Sequence, residues 1–93
     1  MEPHVRHDEA GSRYELVAGD EVIGIAEYYV NGEALVFPHT EIQPAHRGQG
    51  LGQVLVQAAM DDVRAKGKQV VPICWYVRDF LDTHPDYAEL RAA

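Results

Sequence analysis

The sequence predicts an α/β domain: antiparallel strands first, then a strand–loop–helix–strand unit, then a C-terminal helix. Three observations predict it. Residues 12–43 carry strand-type alternation and β-branched runs broken by short turn signals. The run Arg47-Gly48-Gln49-Gly50-Leu51-Gly52 is a glycine-rich turn placed between that β segment and an apolar pattern of helical period. After the helix pattern, a short apolar strand over residues 69–73 implies a parallel neighbour reached by a crossover.

Each element has a local reason. Residues 1–11 are polar, acidic and contain Pro3, and read as a flexible lead-in to a single domain over residues 12–93. Residues 12–18 set Tyr14, Leu16 and Ala18 against Arg13, Glu15 and Val17, as a strand does. Gly19-Asp20 is a turn, and residues 21–30 form a second strand rich in β-branched and aromatic side chains. Asn31-Gly32 signals a hairpin, because both residue types tolerate positive φ. A third strand follows over about residues 33–43. Pro38 removes a ladder donor there, which predicts a bulge, an edge position or a bend. Leu51, Val54, Leu55, Ala58, Ala59 and Val63 repeat at helical spacing, and Gly67 is the stop, with Arg64, Lys66 and Lys68 complementing the negative helix end. Val77, Phe80 and Leu81 mark a second helix, and Pro85 starts a last helical turn through Tyr87 and Leu90.

Composition sets limits on function. A chain of 93 residues with 46% apolar content builds one modest core. No apolar run is long enough to span a membrane, and the first 11 residues lack the apolar core of a signal peptide, so a cytoplasmic location is expected. The single cysteine, Cys74, excludes an internal disulfide framework and a cysteine-rich metal site. A net charge of -7 argues against nucleic-acid binding and favours a cationic partner. It also requires that any polyanionic ligand be held by local groups.

The glycine run supplies such groups. A helix N-terminus offers backbone N–H donors and the positive end of its dipole, which makes a phosphate or pyrophosphate site. The loop is not a P-loop, since Gly52 is followed by Gln53 and Val54 rather than Lys-Ser/Thr. Its GxGxG spacing also fails the dinucleotide pattern. With Arg47, Gly50 and Gly52 at fixed positions, it resembles the Arg/Gln-x-x-Gly-x-Gly/Ala signature of the GNAT acetyltransferase superfamily. The likeness extends through His39-Thr40-Glu41-Ile42, Pro44, Val71-Pro72-Ile73-Cys74 and His84-Pro85-Asp86-Tyr87 to the small single-domain YjdJ-type proteins, covering about residues 12–91.

The resemblance implies a compact GNAT fold without the N-terminal helices that wall the acceptor site in larger members. It implies acetyl-CoA as cofactor, with its pyrophosphate on Arg47, Gly48, Gln49, Gly50, Leu51 and Gly52. Its pantetheine arm would lie between the strand before the loop and the strand over residues 69–74. Backbone donors near Glu41 and Ile42 would polarise the thioester carbonyl. The implied activity is N-acetyl transfer to an amine, an exposed protein or peptide amine in view of the open acceptor side. The alternatives are an acyl-CoA-binding module with little turnover and an interaction protein that keeps only the fold. The oligomeric expectation is a monomer or a homodimer.

Four residues could carry chemistry. His39 and Glu41 lie two apart on one strand and so share a face, where either could be the general base or both a plain sheet pair. Leu35 and Phe37 are expected on that same face, unless Pro38 changes it. Cys74 ends the strand after the helix, as an acyl acceptor or as a small packing residue. By the resemblance, Tyr76 stands where a tyrosine protonates the leaving thiolate; it also reads as a core-edge aromatic. Arg47 reads as a pyrophosphate ligand or as a solvated or carboxylate-paired arginine.

Overall fold

A computed structural model describes residues 2–92. Five strands form one sheet in the order of the chain: β1 (His4–Asp8), β2 (Arg13–Ala18), β3 (Glu21–Asn31), β4 (Ala34–Ile42) and β5 (Gln69–Pro72). The first four are antiparallel neighbours, and β5 is parallel to β4. A 3-10 turn (Pro44–His46) and the glycine run lead into α1 (Leu51–Ala65); α2 (Trp75–Thr83) and a second 3-10 turn (Pro85–Leu90) follow β5. Among the described residues no helix is long and apolar enough to cross a membrane.

The expected lead-in is the first correction. Residues 4–8 pair in register with β2, from His4 opposite Val17 to Asp8 opposite Arg13. The alternation there is carried by Val5 and His7, and a histidine does not read as apolar. Its ring nonetheless stacks on Tyr14 at 4.2 Å between centroids and bonds Tyr28 Oη through Nε2 at 2.6 Å. The hairpin after β3 differs by one residue from its signal. Asn31 pairs with Ala34, and of the two signal residues only Gly32 takes positive φ, at 63°.

Tyr14, Leu16, Ile23, Ala26, Leu35 and Phe37 from the sheet join Val56, Met60, Val77 and Phe80 from the helices in one buried cluster. Helices therefore cover one face of the sheet. The α1 stripe is Gly52, Leu55, Val56, Ala59, Met60 and Val63, whereas Val54 is exposed. Two overlapping helical stripes fit the sequence, and the one containing the larger Val56 and Met60 is the one that is buried. Gly67, at φ 67°, stops α1 as expected, with Gly67 N–H donating to Arg64 O and Lys68 N–H to Val63 O.

The other face carries Glu15 and Val17, which alternate with Tyr14 and Leu16. Glu15 is 3% exposed, yet both its carboxylate oxygens accept from arginines, Arg6 Nε at 2.7 Å and Arg13 Nε at 2.9 Å. The hydrogen bond from Arg6 and then that from Arg13 hold its carboxyl below the usual range against the opposing effect of burial. A depressed carboxyl contributes stability above its unfolded pKa of about 4.3 and loses it as pH falls through the folded value. Glu15→Gln is therefore expected to cost about 1–2 kcal/mol at neutral pH. In urea titrations repeated across pH, its deficit against the parent protein should shrink as pH falls below about 4.

Candidate functional site

The site begins where β4 and β5 part. Their ladder ends at the pair Phe37–Pro72, with one further bond from Cys74 N–H to Phe37 O at 2.9 Å. Neither Pro38 nor Pro72 has an N–H for a ladder. The register between β3 and β4 slips by one residue at this point: Tyr29 faces Val36, but Glu27 faces His39. β4 thus holds one extra residue around Phe37–Pro38; of the bulge, edge position or bend expected at Pro38, the structure has the bulge.

That extra residue changes which face each later side chain uses. Leu35 and Phe37 point to the helices, as do Thr40 and Ile42 beyond the bulge, all of them buried. His39 and Glu41 therefore do not share a face with Leu35 and Phe37; they stand on the opposite one. There Nε2 of His39 donates to Glu41 Oε1 at 3.0 Å, with both side chains about half exposed.

Backbone directions follow the same parity. Gln43 N–H donates to Ile23 O on β3 at 2.8 Å. By alternation Glu41 also turns its amide to β3, while the N–H groups of Thr40 and Ile42 turn toward the gap that β5 has left. Of the two expected carbonyl-polarising positions, Ile42 has its amide in the gap and Glu41 does not. Arg47 reaches into the same gap and donates from Nε to Ile42 O at 3.0 Å. A cavity of about 400 Å³ occupies it, walled by His39, Thr40, Glu41, Ile42, Arg47, Trp75 and Tyr76.

The glycine run forms the adjoining hollow. Gly48 and Gly50 have φ of 80° and 73°, and a Cβ on either would project into open space. Their conformation demands glycine, because L side chains rarely adopt it. Gly50 caps α1, so the first amides of the helix have no intrahelical acceptor. The hollow there, about 130 Å³, includes His46, Arg47, Gly48, Gly50, Leu51 and Gln53 in its wall and has no carboxylate lining it. In a chain of net charge -7 this is a local environment suited to an anion. Gly52 has a different reason to be glycine: a Cβ there would lie 2.5 Å from the Tyr76 ring. A third hollow, about 150 Å³, continues between α1 and α2 past Gln53, Phe80 and His84. Tyr76 lines all three.

Cys74 immediately precedes α2, half-buried at the edge of the core, with Sγ hydrogen-bonded to Thr40 Oγ1 at 3.2 Å. The structure thus gathers His39, Glu41, Ile42, Arg47 and Tyr76 around one cavity and ties Cys74 to it through Thr40. Thr40, which also walls the cavity, was not among the sequence candidates. No spacing signals Thr40, since its position follows from the bulge. Trp75 reads from the sequence as packing or as a lining for the cofactor arm; it walls the cavity and is 61% exposed, stacked on Tyr76 with centroids 4.4 Å apart.

Comparison with known proteins agrees with this fold. A family profile described as GCN5-related N-acetyl-transferase matches residues 13–90. The chain is 30% identical to protein NATD1 of Danio rerio over 90 residues, which is 91% of this chain and 81% of that protein. It is 33% identical to protein NATD1 of Bos taurus over 57 residues, 61% of this chain and 50% of the bovine protein. Among solved structures, a GCN5-like protein of Staphylococcus aureus superposes with a TM-score of 0.72 at 16% identity, covering 97% of this chain and 88% of that one. The ribosomal-protein-S18-alanine N-acetyltransferase of Escherichia coli superposes with a TM-score of 0.60 at 18% identity, covering 64% and 39%. At these identities the structural likeness is one of fold.

The contact between Gly52 and Tyr76 gives a prediction with an unusual sign. Gly→Ala inside a helix normally stabilises by about 1 kcal/mol. Gly52→Ala should instead destabilise by about 1–3 kcal/mol, because the ring must move. Urea unfolding should show the penalty reduced or reversed in a Tyr76→Ala background.

Proposed function

The chain belongs to the GCN5-related N-acetyl-transferase family, and on that premise we propose that it is a small, YjdJ-type enzyme that uses acetyl-CoA to acetylate an exposed protein or peptide amine. The observation that carries this reading is the joining of a carboxylate-free amide cradle to a strand gap with two amides directed into it. A pyrophosphate suits the first and an acyl-pantetheine arm suits the second.

Acetyl-CoA, when bound, supplies an activated thioester. The amides opening α1 and the guanidinium of Arg47 would hold its pyrophosphate by charge-assisted bonds. The N–H groups of Thr40 and Ile42 are donors available to the acyl carbonyl, fixed in the backbone before any charge develops there. With its Nε2–H held by Glu41, neutral His39 carries its lone pair on Nδ1, and that atom accepts the proton of the incoming amine, directly or through water. The Tyr76 phenol, which lines the same cavity, would be the acid that protonates the departing thiolate. Cys74 would offer a second route, in which its thiolate attacks the acyl carbon, coenzyme A leaves as its thiol, and the amine then takes the acyl group and frees the Cys74 sulfur; Thr40 Oγ1 stands 3.2 Å from that sulfur.

One experiment decides between transferase and binding module: mass measurement of acetylated product after incubation with acetyl-CoA and a lysine peptide, beside calorimetry with coenzyme A. Binding without product would leave the module. Arg47→Ala should lower coenzyme A affinity by about 1–3 kcal/mol, and pantetheine affinity less. Equal losses would assign Arg47 to loop shape alone. His39→Gln should leave coenzyme A affinity unchanged and reduce turnover about 10²- to 10⁴-fold. Full turnover in Cys74→Ser would remove the cysteine from the mechanism.

A further inference from the structure

The sheet face away from the helices is not uniformly polar. Tyr29, Val36 and Val71 stand in one row across β3, β4 and β5, each registered opposite the next. Ile73 lies two residues beyond Val71, toward the site. Tyr29 and Ile73 are 56% and 54% exposed. On the same face, the next β3–β4 pair toward the site is Glu27 with His39, two residues along β3 from Tyr29. The apolar row is thus about 7 Å along the strand from the His39–Glu41 pair, one or two residues of an extended chain.

The cations near this row are already paired. Arg6 and Arg13 are held by Glu15, and Lys68 by Glu33. Glu27 makes no ion pair among the described residues, and Glu41 meets only His39. A segment lying here meets carboxylates at one end and apolar side chains at the other. The row is too small for a second copy of the chain, since a stable dimer needs about 800 Å² per partner and two of the four side chains are largely covered by neighbours.

We propose that the row formed by Tyr29, Val36, Val71 and Ile73 is an acceptor-docking surface, which seats a large apolar side chain one or two residues from the amine to be acetylated. This rests on the transferase reading and names its acceptor class: an extended, cationic segment whose lysine is flanked by apolar residues. The lysine ammonium approaches Glu41 and His39 while its neighbour covers Tyr29 and Ile73.

The test uses two N-acetylated, amidated peptides, Gly-Leu-Lys-Leu-Gly and its counterpart with both leucines replaced by glycine. Each is titrated into the coenzyme A-loaded, ¹⁵N-labelled protein, so that binding is read without turnover. The leucine peptide should bind about tenfold tighter, as expected for burying one large apolar side chain, and should shift the amides of Tyr29, Val36, Val71 and Ile73. Tyr29→Glu and Ile73→Glu should each remove that preference and leave coenzyme A affinity unchanged. Equal affinity for the two peptides, or shifts confined elsewhere, would overturn the proposal. So would concentration-dependent self-association that Tyr29→Glu abolishes, because the row would then seat a second copy. Failure of the unmodified protein to bind coenzyme A would instead refute the cofactor reading.

Discussion

One extra residue in β4 organises the site. The bulge at Phe37–Pro38 falls where the parallel ladder to β5 ends, between two prolines that cannot donate to it. Three consequences share that cause. The His39–Glu41 pair turns to the open face of the sheet, Thr40 and Ile42 turn inward, and the amides of Thr40 and Ile42 lose the neighbour that a continued sheet would provide. Backbone donors without partners are costly when buried. Here they open onto a cavity of about 400 Å³, so the same irregularity that breaks the sheet exposes the donors that the proposed acyl transfer would use.

The helix behind the loop must be held in rotation and along its axis, because its first amides form the cradle. Two adjacent carboxylates near its C-terminal end do this. Asp62 accepts from Tyr14 of β2 at 2.7 Å, and Asp61 accepts from Tyr87 of the last 3-10 turn at 2.6 Å. Burial opposes the charge on Asp62, but the bonds from Lys66 and Tyr14 outweigh it and hold its carboxyl below the usual range. Burial first, and then the Asp62 bond, push the Tyr14 phenol upward. The acidic excess of the chain thus includes anchors placed far down the helix from the anion cradle, about 16 Å away for 11 residues of helix. At that distance solvent screening leaves the cradle to its own amides and Arg47.

Much of this was legible in the sequence because local signals and tertiary demands agreed. Gly48 and Gly50 announce positive φ, and both adopt it. Pro38 announces a broken ladder, and Gly67 a helix stop. What was not legible depends on contacts across the fold. His7 belongs to an aromatic stack that only the pairing of β1 with β2 creates, so residues 4–8 did not read as a strand. Gly52 is glycine because of a tyrosine 24 residues later, by the numbering. The side of the sheet reached by His39 turned on whether Pro38 bends the strand or inserts a residue, and period-2 logic reverses with a single inserted residue. Thr40 was hidden for the same reason.

The exposure of the His39–Glu41 pair bears on how such a small domain could be selective. Both side chains of the pair are about half exposed, so water has access to the bond between them and screens it. In larger enzymes a closing lid removes that water. On the acceptor reading proposed above, the body that excludes water here would be the acceptor itself. An acceptor that covers Tyr29 and Ile73 would dry the pair as it docks, strengthening the His39–Glu41 bond and placing the amine beside Nδ1 in one event. A small free amine could reach the same nitrogen but would leave the water in place. Selectivity for an extended segment would then follow from the area it covers, without a closed pocket to enforce it.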